Sequence, residues 1–294
     1  MKMLNIERNS RSISPVENSR REITSLDHSC LRNLFITDIC GGIAHCTPST
    51  KSVKDDSRNP YEWCQEMAVE QISLSRGQIA ITWLNKHSGV LVKSPHVSLV
   101  VDPVEVDEAA LSVVDAILIT HEHYDHLDEG TVIDMQAKCN CQVICDRASY
   151  DRLSSAIASD KLSAANVRDE FQVKDMLIVA EKSSHPAEAP LTYLITSEDG
   201  VTLYHTSDSF PFKEMADIGK KHDVDVCLCT VGIAPKATPR TGVEIAALVK
   251  PRLAIPYHGD GQKEFVTLLA KISPNTKSHI IKRGEIFIYP ERKE

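Results

Sequence analysis

From residue 77 onward the chain alternates short apolar runs with polar turns, at lengths that suit strands. "QIAITWL" (78–84), "SGVLVKS" (88–94) and "HVSLVVDP" (96–103) read as three successive strands, and "AILIT" (116–120) as a short buried one. "GTVIDMQAK" has helical spacing and leads into the strand "CQVICD" and the helix "ASYDRLSSAI". "DMLIVAEK", "LTYLITS" and "VTLYHTS" follow as strands, the last two joined by "EDG", a good hairpin turn. A helix over "PFKEMADIGKKH", the strand "DVCLCTV", the helix "TGVEIAALVK", the strand "LAIPYH" and the helix "KEFVTLLAKI" lead to closing strands "HIIK" and "EIFIY". Strands come first, then mixed βα units, then strands again, an order that suits two sheets sandwiched between helices.

Residues 1–76 look different. Polar and charged residues dominate, with one apolar patch at 31–46 and a helix-like stretch, "NPYEWCQEMAVEQISL", at 59–74. The expectation is an N-terminal extension, partly ordered, that packs on the domain or mediates self-association, so a homo-oligomer stays open. The regularly patterned domain is then 77–294.

Composition narrows the partners. The 294 residues can bury a sizeable core, and a net charge of -8 gives no general attraction to nucleic acid or anionic membrane. No run approaches the ~20 apolar residues of a bilayer span, and the start lacks a secretory apolar core. That start is rich in Ser and Arg, as organelle transit peptides are, but Glu7, Glu17, Glu22 and Asp27 count against one, and a cytoplasmic location is expected. The nine cysteines form no paired CxxC motifs, and Cys227 and Cys229 alternate along an apolar run. They read as buried hydrophobes and free thiols, as in a reducing compartment.

The chemistry concentrates in "THEHYDHLD". His121, His123, Asp125 and His126 crowd together directly after the strand "AILIT". Asp102, His185, Asp208 and His258 each stand at or just after the end of another apolar run. Ends of stacked strands can gather along one edge, where loops present ligands to a pocket. Imidazole and carboxylate suit zinc first, and manganese or iron as well, and the absence of thiolates speaks against a closed structural zinc site. Two ions about 3.5–4 Å apart need about six or seven ligands with a bridging carboxylate. His121, His123, Asp125, His126, His185, Asp208 and His258 are enough for that.

The HxHxDH block at 121–126, with Asp102, His185, Asp208 and His258, resembles the metallo-β-lactamase fold superfamily over roughly residues 78 to 290. "ITWLNKHSGVLVKS", "LYHTSDS" and "KPRLAIPYHGD" are most similar to the branch that includes the L-ascorbate-6-phosphate lactonase and uncharacterised metal-dependent hydrolases. The resemblance implies an α/β fold, a four-layer αββα sandwich, with two divalent metal ions as cofactors. His121, His123 and His185 would hold one, Asp125, His126 and His258 the other, and Asp208 would bridge them. Asp102 would orient a ligand histidine through its second ring nitrogen. Two departures stand out. Ser207 replaces the usual glycine before the bridging aspartate, and Asn85-Lys86-His87-Ser88 replaces a Gly-His-Ser.

The expected activity is hydrolysis of a small ester, lactone or phosphodiester by a metal-bridging hydroxide, with Asp125 aligning or deprotonating the nucleophile. No GxSxG elbow, P-loop or GxGxxG fingerprint offers another chemistry. Lys236 and Arg240, next to a helix expected to start at Thr241, are candidate contacts for an anionic substrate, and His87 is a third candidate contact. Alternatives are a nuclease of the same fold, a mononuclear iron dioxygenase and a non-catalytic metal protein. The acidic charge and the short interval between Asp208 and His258 oppose the nuclease, and the presence of His123 opposes a di-iron electron carrier.

Overall fold

A computed structural model describes residues 72–290 apart from 107–110, 112 and 235. The apolar patch at 31–46, the helix-like stretch before residue 72 and the rest of the extension lie outside the described residues, and residues 72–74, at the end of that stretch, are irregular.

The first half builds strands β1 (Ile79–Trp83), β2 (Val90–Lys93), β3 (Ser98–Val101) and β4 (Ala116–Ile119), helix α1 (Glu129–Cys139), β5 (Gln142–Cys145), α2 (Arg147–Leu153) and β6 (Leu162–Ala164). The second half continues with β7 (Glu170–Val173), β8 (Met176–Lys182), β9 (Leu191–Thr196), β10 (Thr202–His205), α3 (Met215–His222), β11 (Val226–Thr230), α4 (Pro239–Val249), β12 (Leu253–Tyr257), α5 (Gln262–Ile272), β13 (Lys277–Ser278) and β14 (Ile286–Tyr289). Among the described residues they form two seven-stranded sheets, ordered β14-β1-β2-β3-β4-β5-β6 and β13-β12-β11-β10-β9-β8-β7.

Period-two alternation sets the layers. In β1, Ile79 and Ile81 face the core between the sheets, while Ala80 joins the core under α1 and α2. In β11, Leu228 points between the sheets, and Cys227 and Cys229 pack beneath α3, α4 and α5 against Val243, Ala246 and Phe265. Three apolar cores thus separate four layers, the αββα sandwich expected. Cys227 and Cys229 are the buried hydrophobes anticipated, and Cys141 and Cys145 are likewise free thiols. No helix of the described residues is long and apolar enough to cross a membrane.

The hairpin at "EDG" forms as expected, with Ser197 N–H donating to Val201 O at 2.9 Å and Gly200 taking a positive φ of 83°. Three expectations need correction. "HIIK" (279–282) is not a strand; the ladder there is the two-residue β13, and Ile281 packs into the central core without strand pairing. Helix α4 begins at Pro239 rather than Thr241, because the Thr238 N–H donates to Thr241 Oγ1 at 3.1 Å and Pro suits the first helical position. Helix α3 covers only the second part of "PFKEMADIGKKH".

In the first sheet β3, β4, β5 and β6 run parallel, and in the second β10, β11, β12 and β13 do. Parallel neighbours bring their C-terminal ends to the same edge. Asp102 follows β3, the histidine cluster follows β4, Asp208 follows β10 and His258 follows β12.

Candidate metal centre

Strand β4 is buried along its whole length, and Thr120 and His121 continue it into the edge. The turn beyond is closed by the His123 carbonyl, which accepts from the His126 N–H at 2.9 Å and the Leu127 N–H at 2.8 Å. Asp125 is fixed from the β1–β2 loop, where the buried Ser88 hydroxyl donates to the Asp125 carbonyl at 2.6 Å.

Two donor groups result. His121, His123 and His185 form one, and Asp125, His126, Asp208 and His258 the other, each with its ligand atoms within 4.8 Å of one another. His123 Nδ1 stands 3.1 Å from both His121 Nε2 and His185 Nε2. Asp208 lies against both groups. Its Oδ2 is 3.4 Å from His126 Nε2 and 3.9 Å from His185 Nε2, and its Oδ1 is 3.1 Å from His258 Nε2. Asp125 Oδ2 is 3.6 Å from His258 Nε2. His121, Asp125, His126, Asp208 and His258 are all buried, and His185 nearly as deep.

The proton states suit cation binding. Burial, reinforced by His126, His185 and His123 nearby, holds His121 strongly toward neutral, and burial does the same for His185. Burial opposes the Asp208 carboxylate, yet the close imidazoles of His126 and His258 hold it far below the usual carboxylate range. Asp125 is lowered in the same way, burial being outweighed by His258 and His126. His126 behaves differently. Its burial favours the neutral form, but the charge and hydrogen bond of Asp102, helped by Asp208, raise it to about 10. In the metal-free chain the proton on His126 thus partly neutralises two carboxylates, and a bound cation would take over that role.

The buried nitrogens His126 Nε2 and His258 Nε2 and the oxygen Asp208 Oδ1 have no hydrogen-bond partner. Leaving such atoms unmet is costly, and all three face the same donor set, so the residues fit a cation.

The support behind the ligands was only partly expected. Asp102 accepts from His126 Nδ1 at 2.7 Å. Thr120 stands next to His121 and no motif marks it. Its N–H and hydroxyl donate to Asp102 at 2.8 and 2.7 Å, and the hydroxyl lies 3.1 Å from His121 Nδ1 and 3.2 Å from His126 Nδ1.

A cleft of about 590 Å³ opens beside this cluster, with His87 and Tyr124 in its lining together with Gly259, which follows His258. The His87 ring stands edge-on to Tyr124 at 6.5 Å. Lys236 and Arg240 do not line the cleft. Lys236 is exposed, and Arg240 pairs with Glu244 at 3.0 Å along its own helix.

Two sheets layered between helices, with histidines and aspartates gathered on one edge, define a metallo-β-lactamase-type protein. The family model for the beta-lactamase superfamily domain matches residues 90–259, and the chain belongs to that superfamily. A UPF0173 metal-dependent hydrolase of Staphylothermus marinus is 26% identical over 231 residues, covering 76% of this chain and 99% of the relative. A UPF0173 protein of Pyrococcus abyssi is 32% identical over 181 residues, covering 60% and 82%. These relatives place the chain among the UPF0173 metal-dependent hydrolases. Among solved structures, a metallo hydrolase of Ignicoccus hospitalis shares the fold at a TM-score of 0.63 and 18% identity, covering 73% of this chain and all 100% of that one. A di-iron β-hydroxylase of Streptomyces venezuelae shares it at 0.58 and 12%, covering 73% and 54%. The fold alone therefore hosts more than one chemistry.

Proposed function

We propose that the protein is a dinuclear metal-dependent hydrolase of a small ester, lactone or phosphodiester. His121, His123 and His185 hold one divalent ion, and Asp125, His126 and His258 the other, with Asp208 shared. Zinc suits this nitrogen-rich donor set best, with manganese or iron as substitutes. The observation that carries the reading is Asp208, whose Oδ2 lies between His185 of one donor group and His126 of the other while its Oδ1 faces His258.

Divalent ions in such a pair supply an activated water near neutral pH and polarise a carbonyl or phosphoryl oxygen. The chain does the rest. Asp102 holds His126 by its Nδ1, which aims Nε2 at Asp208. Asp125, kept ionised, is the carboxylate able to accept a proton from an attacking water and to orient it. The His87 ring and the Tyr124 ring line the approach.

Plasma mass spectrometry of metal content, with wild type beside Asp208→Ala, tests this directly. About two equivalents of zinc or manganese in the wild type, falling to one or fewer in the variant, with turnover in a screen of lactones and phosphodiesters, is the expected result. One equivalent of iron in both, with oxygen uptake, would overturn it.

A further inference from the structure

The cleft beside the metal ligands carries its own charge pattern. Lys86, Lys282 and Arg283 line it, against a single carboxylate, Asp260. This is a local positive surface on a chain of net charge -8. Lys86 is shared with Glu105 at 3.1 Å. Lys282 and Arg283 are exposed and meet no carboxylate within ion-pair distance among the described residues.

These two cations sit on a held turn. The Glu285 N–H donates to the Lys282 carbonyl at 3.0 Å, and Gly284 takes a φ of 76°, which a β-turn of type II requires at that place. The Lys282 N–H donates to the Glu285 carboxylate at 3.0 Å, and the Gly284 N–H donates to the Trp83 carbonyl at 2.9 Å, tying the turn to the end of β1. A turn bonded at three points presents its side chains from a fixed base, which limits the entropy lost when they grip a ligand.

The rest of the lining is apolar or aromatic. Tyr124 is 80% exposed and Ile233 42% exposed, both large hydrophobic surfaces open to the cleft. Trp83 and Ile281 form the wall behind. Exposed apolar side chains next to unpaired cations fit a ligand that has an apolar body and a negative group.

We infer that the cleft selects substrates carrying a carboxylate or phosphate recognised by Lys282 and Arg283, joined through an apolar or aromatic segment to the bond that is cleaved. Lys282 and Arg283 are specificity-determining residues outside the metal centre. This rests on the hydrolase reading above, and the experiment separates the two.

The full-length metal-loaded protein is compared with Lys282→Gln/Arg283→Gln and with Lys236→Gln/Arg240→Gln. Hydrolysis is read on a matched pair, the neutral 4-nitrophenyl butyrate and the anionic mono-4-nitrophenyl glutarate. Binding is read by calorimetry with 4-phenylbutyrate and phenyl phosphate, whose relative affinity tells which anion is preferred. The 282/283 variant should lose about ten-fold or more in kcat/KM for the anionic ester and in affinity for the preferred probe, with kcat/KM for the neutral ester unchanged. The 236/240 variant should match wild type throughout. Equal losses on both esters, unchanged probe binding in the 282/283 variant, or wild type that binds neither probe would each overturn the inference. Probe binding that is lost in the variant while no ester is hydrolysed by wild type sinks the hydrolase reading and leaves the anion cleft standing. Turnover of the neutral ester without probe binding does the reverse.

Discussion

The Ser207 hydroxyl donates to Thr120 Oγ1 at 2.8 Å, joining the ends of β10 and β4 and so the two sheets behind the metal centre. Ser207 adopts a φ of 50°, where glycine is comfortable and other residues are strained. The hydroxyl offsets that strain by anchoring Thr120, which in turn donates to Asp102. Replacing Ser207 by Ala keeps the strain and removes the bond, at a cost of about 1–2 kcal/mol. Ser207→Gly removes both and should be the milder change, so Gly should unfold above Ala in thermal melts. The reverse order would show that the strain at Ser207 contributes little.

Thr120→Val keeps the shape of the side chain and deletes every hydrogen bond of its hydroxyl. Asp102 and the His121 and His126 rings lose a shared partner. Metal affinity should drop by roughly 10–100-fold, as for other groups that orient ligands, with the fold intact by circular dichroism. A zinc titration against a competing chelator measures it.

His126 sets a pH dependence. Its pKa in the folded metal-free chain is raised to about 10, above the ordinary 6.5, so its proton stabilises that state fully below pH 6.5 and the benefit disappears as pH rises through about 10. The melting temperature of chelator-treated protein should therefore fall between pH 7 and 10, and Asp102→Asn should flatten the decline. Loading zinc at pH 7 must displace that proton, so calorimetry in buffers of different ionisation enthalpy should register proton release. A pH-independent zinc affinity from 6 to 9 would contradict the assignment.

Gly259 follows His258 with a φ of 151°, and a Cβ there would stand 2.7 Å from the Gly232 backbone nitrogen. Neither backbone can give way without moving His258, since the Ile233 N–H donates to the His258 carbonyl at 3.1 Å. Gly259→Ala should lower the melting temperature and cut metal content toward one equivalent, whereas Gly77→Ala, where a Cβ meets nothing within 4 Å, should leave metal content unchanged.

Much of this arrangement is legible in the residues. Strands buried on both faces, such as "AILI" and "VCLCT", announce themselves as unbroken apolar runs, and HxHxDH follows one of them directly. The two strands that pattern reading passed over, β6 and β7, have three and four residues and mostly half-buried or exposed side chains, so little periodicity marks them. "HIIK" misleads in the opposite sense. Ile281 is apolar because it packs in the central core, not because it pairs in a sheet. Lys282 and Arg283 escape notice for a related reason, since the turn is tied to the cleft by its bond to Trp83, far away in sequence. Lys236 and Arg240 draw the eye because they flank a helix start, but α4 directs Arg240 along its own surface to Glu244.

The pairing of β14 with β1 joins Ile79 to Tyr289 across nearly the whole described chain. During synthesis the first sheet must wait with β1 as an open edge until residues 286–289 leave the ribosome, a template for pairing with another chain. The turn bearing Lys282 and Arg283 emerges immediately ahead of that closing strand. Completion of the cleft wall and completion of the sheet thus follow one another late, and a chain that stops short of residue 280 lacks both.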